Sequence, residues 1–328
     1  MGILVDGIWK DVPRDTRKTG GEFVREESGF RDRVTADGSS GFRAEAGRYH
    51  LYVSLACPWA HRTLIFRALK GLEKAISCSV VDPVMDSHGW VFSDRPGCIR
   101  DSVNGADYLH QIYTRVRPKF SGRVTVPVLW DRHTGAIVNN ESSEIIRMLN
   151  REFDAFAERR LPDMYPGALR PEIDRWNERI YRAVNNGVYR AGFATAQEKY
   201  EAAVRDLFAM LDLLEKHLSN NRYLCGDRMT EADWRLFTTL ARFDLVYHYH
   251  FKCNLRRLVD YRNLWAYTRD LYQHPRVAET VNFEHIREHY YVSQKEVNPS
   301  RIVPVGPSVN FNEPHGRGNL GKGKEATI

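Results

Sequence analysis

The alternation of apolar and polar positions changes character several times along this chain of 328 residues. Up to about residue 49 no period is sustained. Gly, Asp, Arg and Ser interrupt each short apolar stretch, so residues 1–49 read as an extended arm on the surface. The β-prone run Tyr49 to Ala56 then predicts a strand. Pro58 to Lys70 predicts a helix, with proline at its first position and Gly71 just past its end. Ala75 to Val81 supplies a second strand, parallel to the first because a helix connects them. Residues 83–122 predict loop with one short helix. Val124–Trp130 and Ala136–Asn139 predict two more strands, joined by a turn short enough for an antiparallel hairpin. A helix from Ser142 to Phe153 follows. Past residue 160 the period is helical throughout: Leu207, Met210, Leu211, Leu214 and Leu218 mark one apolar face, and Thr230 with Asp233 spaces a capping box before a helix through Phe243. The tail beyond Pro307, rich in Gly, Asn and Lys, predicts fraying.

Composition narrows the functional classes. With 42% hydrophobic and 27% charged residues the chain reads as a soluble globular protein, and no apolar run approaches the ~18 residues a membrane span requires. Its start lacks the basic and apolar segments of a secretory signal, and five cysteines at irregular spacing suit free thiols, so a cytoplasmic location is expected. The net charge of +6 raises the question of nucleic acid, but basic and acidic residues are interspersed and no basic block carries interleaved aromatics, so no nucleic-acid partner is expected. No Cys-x₂-Cys metal pair occurs, and His248 and His250, two apart on a helix, point to different sides, so no metal is expected either.

The chemistry concentrates in Leu55-Ala56-Cys57-Pro58-Trp59-Ala60-His61-Arg62. Cys57 sits between a strand and a helix start, where free backbone N–H groups and the helix dipole favour a thiolate, the reactive form of cysteine. Ala60 occupies the position of the second thiol in a Cys-x-x-Cys pair, so another molecule must resolve whatever Cys57 captures. The order β-α-β-(α)-β-β-α behind such a cysteine describes a thioredoxin-like domain over residues 50–160, followed by an all-α C-terminal domain, residues 161–328, with an extended tail. Val126-Pro127 interrupts a strand: either an edge proline, or a cis bond that turns the Val126 backbone toward the cysteine to pair with an extended peptide. At Asn140-Glu141-Ser142-Ser143, helix-start N–H groups and a hydroxyl suit a carboxylate while Glu141 suits an ammonium; plain N-capping by Ser142 is the alternative. Together these outline a slot for a peptide with a free α-amino-acid end and a central thiol, which describes glutathione. The helical half is rich in tyrosine, including Tyr181, Tyr189, Tyr247, Tyr249, Tyr290 and Tyr291, each an apolar face with a hydroxyl.

At this point the chain resembles the glutathionyl-hydroquinone reductases, the Xi class of glutathione transferases. The resemblance rests on the Cys57 segment, Gly89-Trp90-Val91-Phe92, Gly122 to Asp131, Val138 to Ile146, Asn186 to Phe193, Arg235 to Asp244 and His289-Tyr290-Tyr291. It implies the two-domain glutathione transferase fold (α/β thioredoxin-like plus all-α), a homodimer, and glutathione as co-substrate with a glutathionylated aromatic partner. Cys57 would be the nucleophile. Trp90, Arg123, Val124, Thr125, Val126, Glu141 and Ser142 would hold glutathione, and Tyr189, Tyr247 and Tyr290 would surround the reacting groups, with Tyr189 as proton donor. Omega-like thiol transfer or dehydroascorbate reduction, and a non-catalytic glutathione-binding scaffold, are the alternatives. Gln294 departs from the family pattern, which has a histidine there.

Overall fold

The structure is a computed structural model that describes residues 2–320. In chain order its elements are β1 (Ile3–Val5), β2 (Ile8–Lys10), β3 (Val34–Thr35), β4 (Phe42–Arg43), β5 (Tyr49–Val53), α1 (Pro58–Lys70), β6 (Ile76–Val80), α2 (Leu109–Val116), β7 (Val128–Asp131), β8 (Ala136–Asn139) and α3 (Ser142–Arg151). There follow α4 (Arg170–Ile180), α5 (Gly187–Gly192), α6 (Gln197–Leu218), α7 (Glu231–Leu240), α8 (Arg262–Tyr272) and α9 (Phe283–Ser293). They gather into two compact units. The first takes the chain up to Asp15, Arg25–Pro162 and Glu279–Val303; the second takes Thr16–Val24, Asp163–Ala278 and the described residues from Pro304 onward.

In the first unit a four-stranded sheet runs in the order β6-β5-β7-β8, with β5 and β6 parallel and the other two pairs antiparallel. All five residues of β5 are buried, as an interior strand requires. Even its His50 is satisfied, its ring nitrogens 2.7 and 2.9 Å from the hydroxyls of Ser77 and Ser79. Helix α1 spans the stretch that proline and glycine punctuation predicts, stops at Gly71 in the left-handed region (φ 63°), and packs on α3.

Three boundaries differ from expectation for local reasons. Strand β5 ends at Val53, because Ser54 turns its hydroxyl to the Ala56 N–H at 3.2 Å. Strand β7 starts only at Val128: Pro127 has no N–H for the ladder, and Thr125 pairs with a side chain instead. Helix α3 ends at Arg151, two residues early.

The arm is not a separate wrapping. β1 and β2 form an antiparallel hairpin whose two turn residues, Asp6 (φ 47°) and Gly7 (φ 79°), both take positive φ, the conformation that tight hairpins of matching twist prefer. Leu4, Phe30 and Val34 are buried. Residues 16–24 belong to the second unit, and α9 belongs to the first, although the helical pattern expects one all-α domain from residue 161.

In the second unit α6 packs against α5 and α8, and α4 against α7. Leu207, Leu211, Leu214 and Leu218 are all fully buried. Helix α7 begins with the Thr230 N–H donating to Asp233 Oδ2 at 2.8 Å and ends at Leu240, before one wide helical turn, Phe243–Tyr247. The tail is built in as far as it is described. Phe311 packs on Trp265 and Tyr272, and buried Arg317 donates to the carbonyls of Leu218, Asn221 and Arg222, closing the end of α6. The expected fraying therefore does not hold for residues 308–320; residues 321–328 lie outside the described residues.

Candidate active site

Cys57 is the residue at which strand geometry becomes helix geometry. Its backbone is extended (φ −76°, ψ 122°), its carbonyl accepts the His61 N–H at 2.9 Å, and Pro58 occupies the first helical position. The half-buried thiol lies 3.6 Å from the Val126 carbonyl. The Val126-Pro127 bond is cis, and among the described residues the Val126 N–H has no hydrogen-bond partner. None of the five cysteines is in a disulfide. Burial pushes the Cys78 thiol up to about 11 and the Cys225 thiol to about 12, and it raises those of Cys98 and Cys253 too. Burial thus disfavours the thiolate at those four; Cys57 alone stands at a helix start. Trp59, next in the helix, is flanked by the Arg25 and Arg62 guanidiniums, 4.8 and 4.6 Å from its ring centre.

The expected peptide-binding residues lie in the same unit as this thiol. Arg123 donates to the Gly2 carbonyl at 3.1 Å. Thr125 is held by the buried Tyr113 phenol, which donates to its carbonyl (2.8 Å) and accepts from its N–H (3.2 Å). The same phenol accepts from Asn140 Nδ2 at 3.2 Å, so one hydroxyl ties the 123–127 loop to the residue before Glu141. Tyr113 is a residue the sequence does not single out, since nothing in its α2 neighbourhood marks it. Glu141, rather than Ser142, caps α3: its Oε1 accepts the Ser143 N–H at 3.0 Å and its Oε2 accepts the Ser28 hydroxyl at 3.1 Å. A carboxylate has about four lone-pair sites, so capping leaves acceptor capacity for a cation. Ser142, at the first helical position, accepts from Arg62 Nη1 at 3.4 Å. Trp90 stacks on His289 (4.7 Å, 18°), and Tyr290 meets the same imidazole edge-on at 5.3 Å. His289 in turn is fixed by the Pro83 carbonyl, 2.8 Å from Nδ1. Gln294, buried nearby in sequence, accepts the Val297 and Asn298 N–H groups on its backbone carbonyl.

Tyr189 and Tyr247 lie in the second unit, in a cluster of rings. Their centroids are 6.0 Å apart, and Phe251 packs on both, at 5.5 and 5.6 Å. Phe193 joins at 5.1 Å from Phe251, and Phe23 at 5.3 Å from Phe193. Gly192 makes the arrangement possible, because a Cβ there would run into the Phe251 ring. Phe251 and Phe23 are further residues the periodicity does not reveal; Phe23 arrives from the N-terminal arm. Among the described residues no group of three or more His, Cys, Asp or Glu could hold a metal, and no helix is long and apolar enough to cross a membrane.

Comparison with known proteins decides the family. The chain matches the glutathione S-transferase N-terminal domain over residues 56–152 and the C-terminal domain over 197–270. It is 56% identical to the glutathionyl-hydroquinone reductase PcpF of Sphingobium chlorophenolicum, covering 94% of this chain and 97% of that one. The chain belongs to the glutathionyl-hydroquinone reductases. Within this glutathione transferase family it is 55% identical to the reductase YqjG of Escherichia coli K-12, over 97% of this chain and 98% of that one. Its fold matches the Xi-class transferase of Natrialba magadii with a TM-score of 0.91 at 51% identity, over 98% and 97% of the two chains. It also matches the glutathione-bound structure of YqjG with a TM-score of 0.89 at 52% identity, over 96% and 99%.

Proposed function

We propose that Cys57 carries out the glutathione-dependent reduction of glutathionyl-hydroquinones by way of a mixed disulfide. The thiolate attacks the sulfur of the conjugate. An S–S bond forms, the bond between sulfur and aromatic carbon breaks, and the carbon takes a proton from Tyr189, releasing the hydroquinone. Glutathione then attacks the mixed disulfide, oxidised glutathione leaves and the Cys57 thiolate returns. The net exchange consumes one conjugate and one glutathione. The thiol proton of that glutathione replaces the one lost by Tyr189. The observation that carries this reading is the single thiol at the start of α1, 3.6 Å from the carbonyl of Val126, with alanine at position 60.

The remaining residues divide the work of holding glutathione. The Val126 N–H and carbonyl, with Arg123, Val124 and Thr125, pair with its backbone as an added strand would. Glu141 takes the ammonium, the Ser142 end of α3 takes a carboxylate, and Trp90 covers the peptide. Tyr247 and Tyr290 donate to the sulfur and line the space for the aromatic ring. A homodimer in the cytoplasm, built of a thioredoxin-like and a helical domain, is part of the same reading; five cysteines in no disulfide fit a reducing compartment.

The test is a single turnover with a glutathionyl-hydroquinone and no free glutathione. One equivalent of hydroquinone should appear together with a glutathionyl adduct on Cys57, and added glutathione should remove the adduct as oxidised glutathione. Hydroquinone without the adduct would overturn the mechanism. An adduct from oxidised glutathione with no aromatic product would favour general thiol transfer instead.

A further inference from the structure

The N-terminal hairpin touches two of the segments that carry the proposed glutathione residues. On one side it is stitched to the 120–123 segment: Leu4 and Gly122 exchange N–H···O bonds of 3.0 and 2.9 Å, Gly7 donates to the Phe120 carbonyl at 3.0 Å, and the Asp6 N–H donates to the Ser121 hydroxyl at 2.9 Å. The Arg123 guanidinium closes this seam on the Gly2 carbonyl. On the other side a single residue, Trp9, reaches the turn Asp86–Gly89 immediately before Trp90. Its indole N–H donates to the Ser87 carbonyl at 2.8 Å, and its ring lies so close over Gly89 (φ 85°) that a Cβ there would stand 2.7 Å from it. The ring is itself held flat against His110 of α2 (5.2 Å, 17°), which stacks on Tyr108 (5.5 Å, 5°). The indole thus joins the turn to the start of α2, whose Leu109 N–H is accepted by the Trp90 carbonyl at 2.9 Å.

We propose that Trp9 is a positioning residue for the glutathione subsite, fixing the separation between Trp90 and the Arg123–Val126 segment through the β1–β2 hairpin. The proposal rests on the reading that those residues bind glutathione. A flexible peptide gains from a preorganised slot because the loops need not be ordered when it binds, and displacement of such a contact costs affinity steeply. The hairpin is placed to supply that order from outside the slot. Cys57 is placed by a different device, the strand–helix junction, so the chemical step should not share the dependence.

Kinetics with the glutathionyl-hydroquinone varied at saturating glutathione read this directly, because its glutathionyl part is what enters the subsite. Trp9→Ala should raise the KM for the conjugate by about tenfold while kcat stays within about twofold. Trp9→Phe, which keeps a ring over Gly89 and against His110, should recover most of the loss. Ile8→Ala, at a position 65% exposed on the same strand, should change nothing. If Trp9→Ala does not fold, Trp9→Leu carries the same comparison against Trp9→Phe. Trp90→Ala serves as the reference. A raised KM in Trp90→Ala with none in the Trp9 variants would overturn the positioning role alone. An unchanged KM in both would overturn the assignment of the subsite itself. A fall in kcat equal to the change in kcat/KM would make Trp9 a structural residue only.

Discussion

The two units solve the problem of holding reactive groups by opposite means. In the first, the thiol and the polar candidate groups are placed by hydrogen bonds and backbone turns: Cys57 by the strand–helix junction, Thr125 and Asn140 by one phenol, Glu141 by its own helix start. In the second, Tyr189 and Tyr247 are placed by ring packing with Phe251 and Phe193. Polar placement is directional and local, so it specifies where an atom points. Packing is non-directional and cooperative, so it specifies shape and is felt as stability. Substitutions that remove a hydrogen-bonding group should therefore show in activity at near-constant stability, and those that remove a packed ring of the second unit in both.

The largest expected effect is Cys57→Ala, which should lower hydroquinone release by about 10³-fold or more with an unchanged melting temperature; residual activity near wild type would remove the thiol from the chemistry. Phe251→Ala removes a fully buried ring and should cost about 3–5 kcal/mol by urea denaturation, together with a higher KM for the aromatic conjugate. A loss of stability without the KM change would separate the cluster from the substrate. Tyr189→Phe keeps the packing and removes only the hydroxyl, so kcat should fall by about 10²-fold at nearly constant stability, and an unchanged kcat would rule out its proton donation. The smallest effect is in the sheet. Burial lowers the His50 pKa from 6.5 to about 4, so between those values the unfolded chain binds the extra proton. Stability contributed by neutral His50 is then complete above pH 6.5 and declines as pH falls toward 4. His50→Gln should flatten the melting temperature against pH in that window, and an equal slope would show that other groups carry it.

Much of the first unit was legible in the sequence because its signals are local. Proline at the start and glycine at the end bound α1, the order of strands follows from a helical crossover and a short turn, and Val126-Pro127 beside a lone cysteine points to a peptide slot. The strand limits at Val53 and Val128 were less legible, since they depend on a serine hydroxyl and a phenol turning to the backbone.

What the residues determined by themselves is the class of chemistry. A thiol at a helix start with alanine at position 60 supports the proposed resolution by an external thiol, a reading drawn from covalent neighbours and helix termini alone. The tertiary structure decided the supports. It gave the early residues to both units, built α9 into the first, brought His289 and Trp9 against loops far away in sequence, let Tyr113 tie the 123–127 loop to Asn140, and recruited Phe23 and Phe251 to the tyrosines. No periodicity encodes these contacts. Each depends on how separate segments meet once their apolar faces leave water, and that is settled by the whole chain at once.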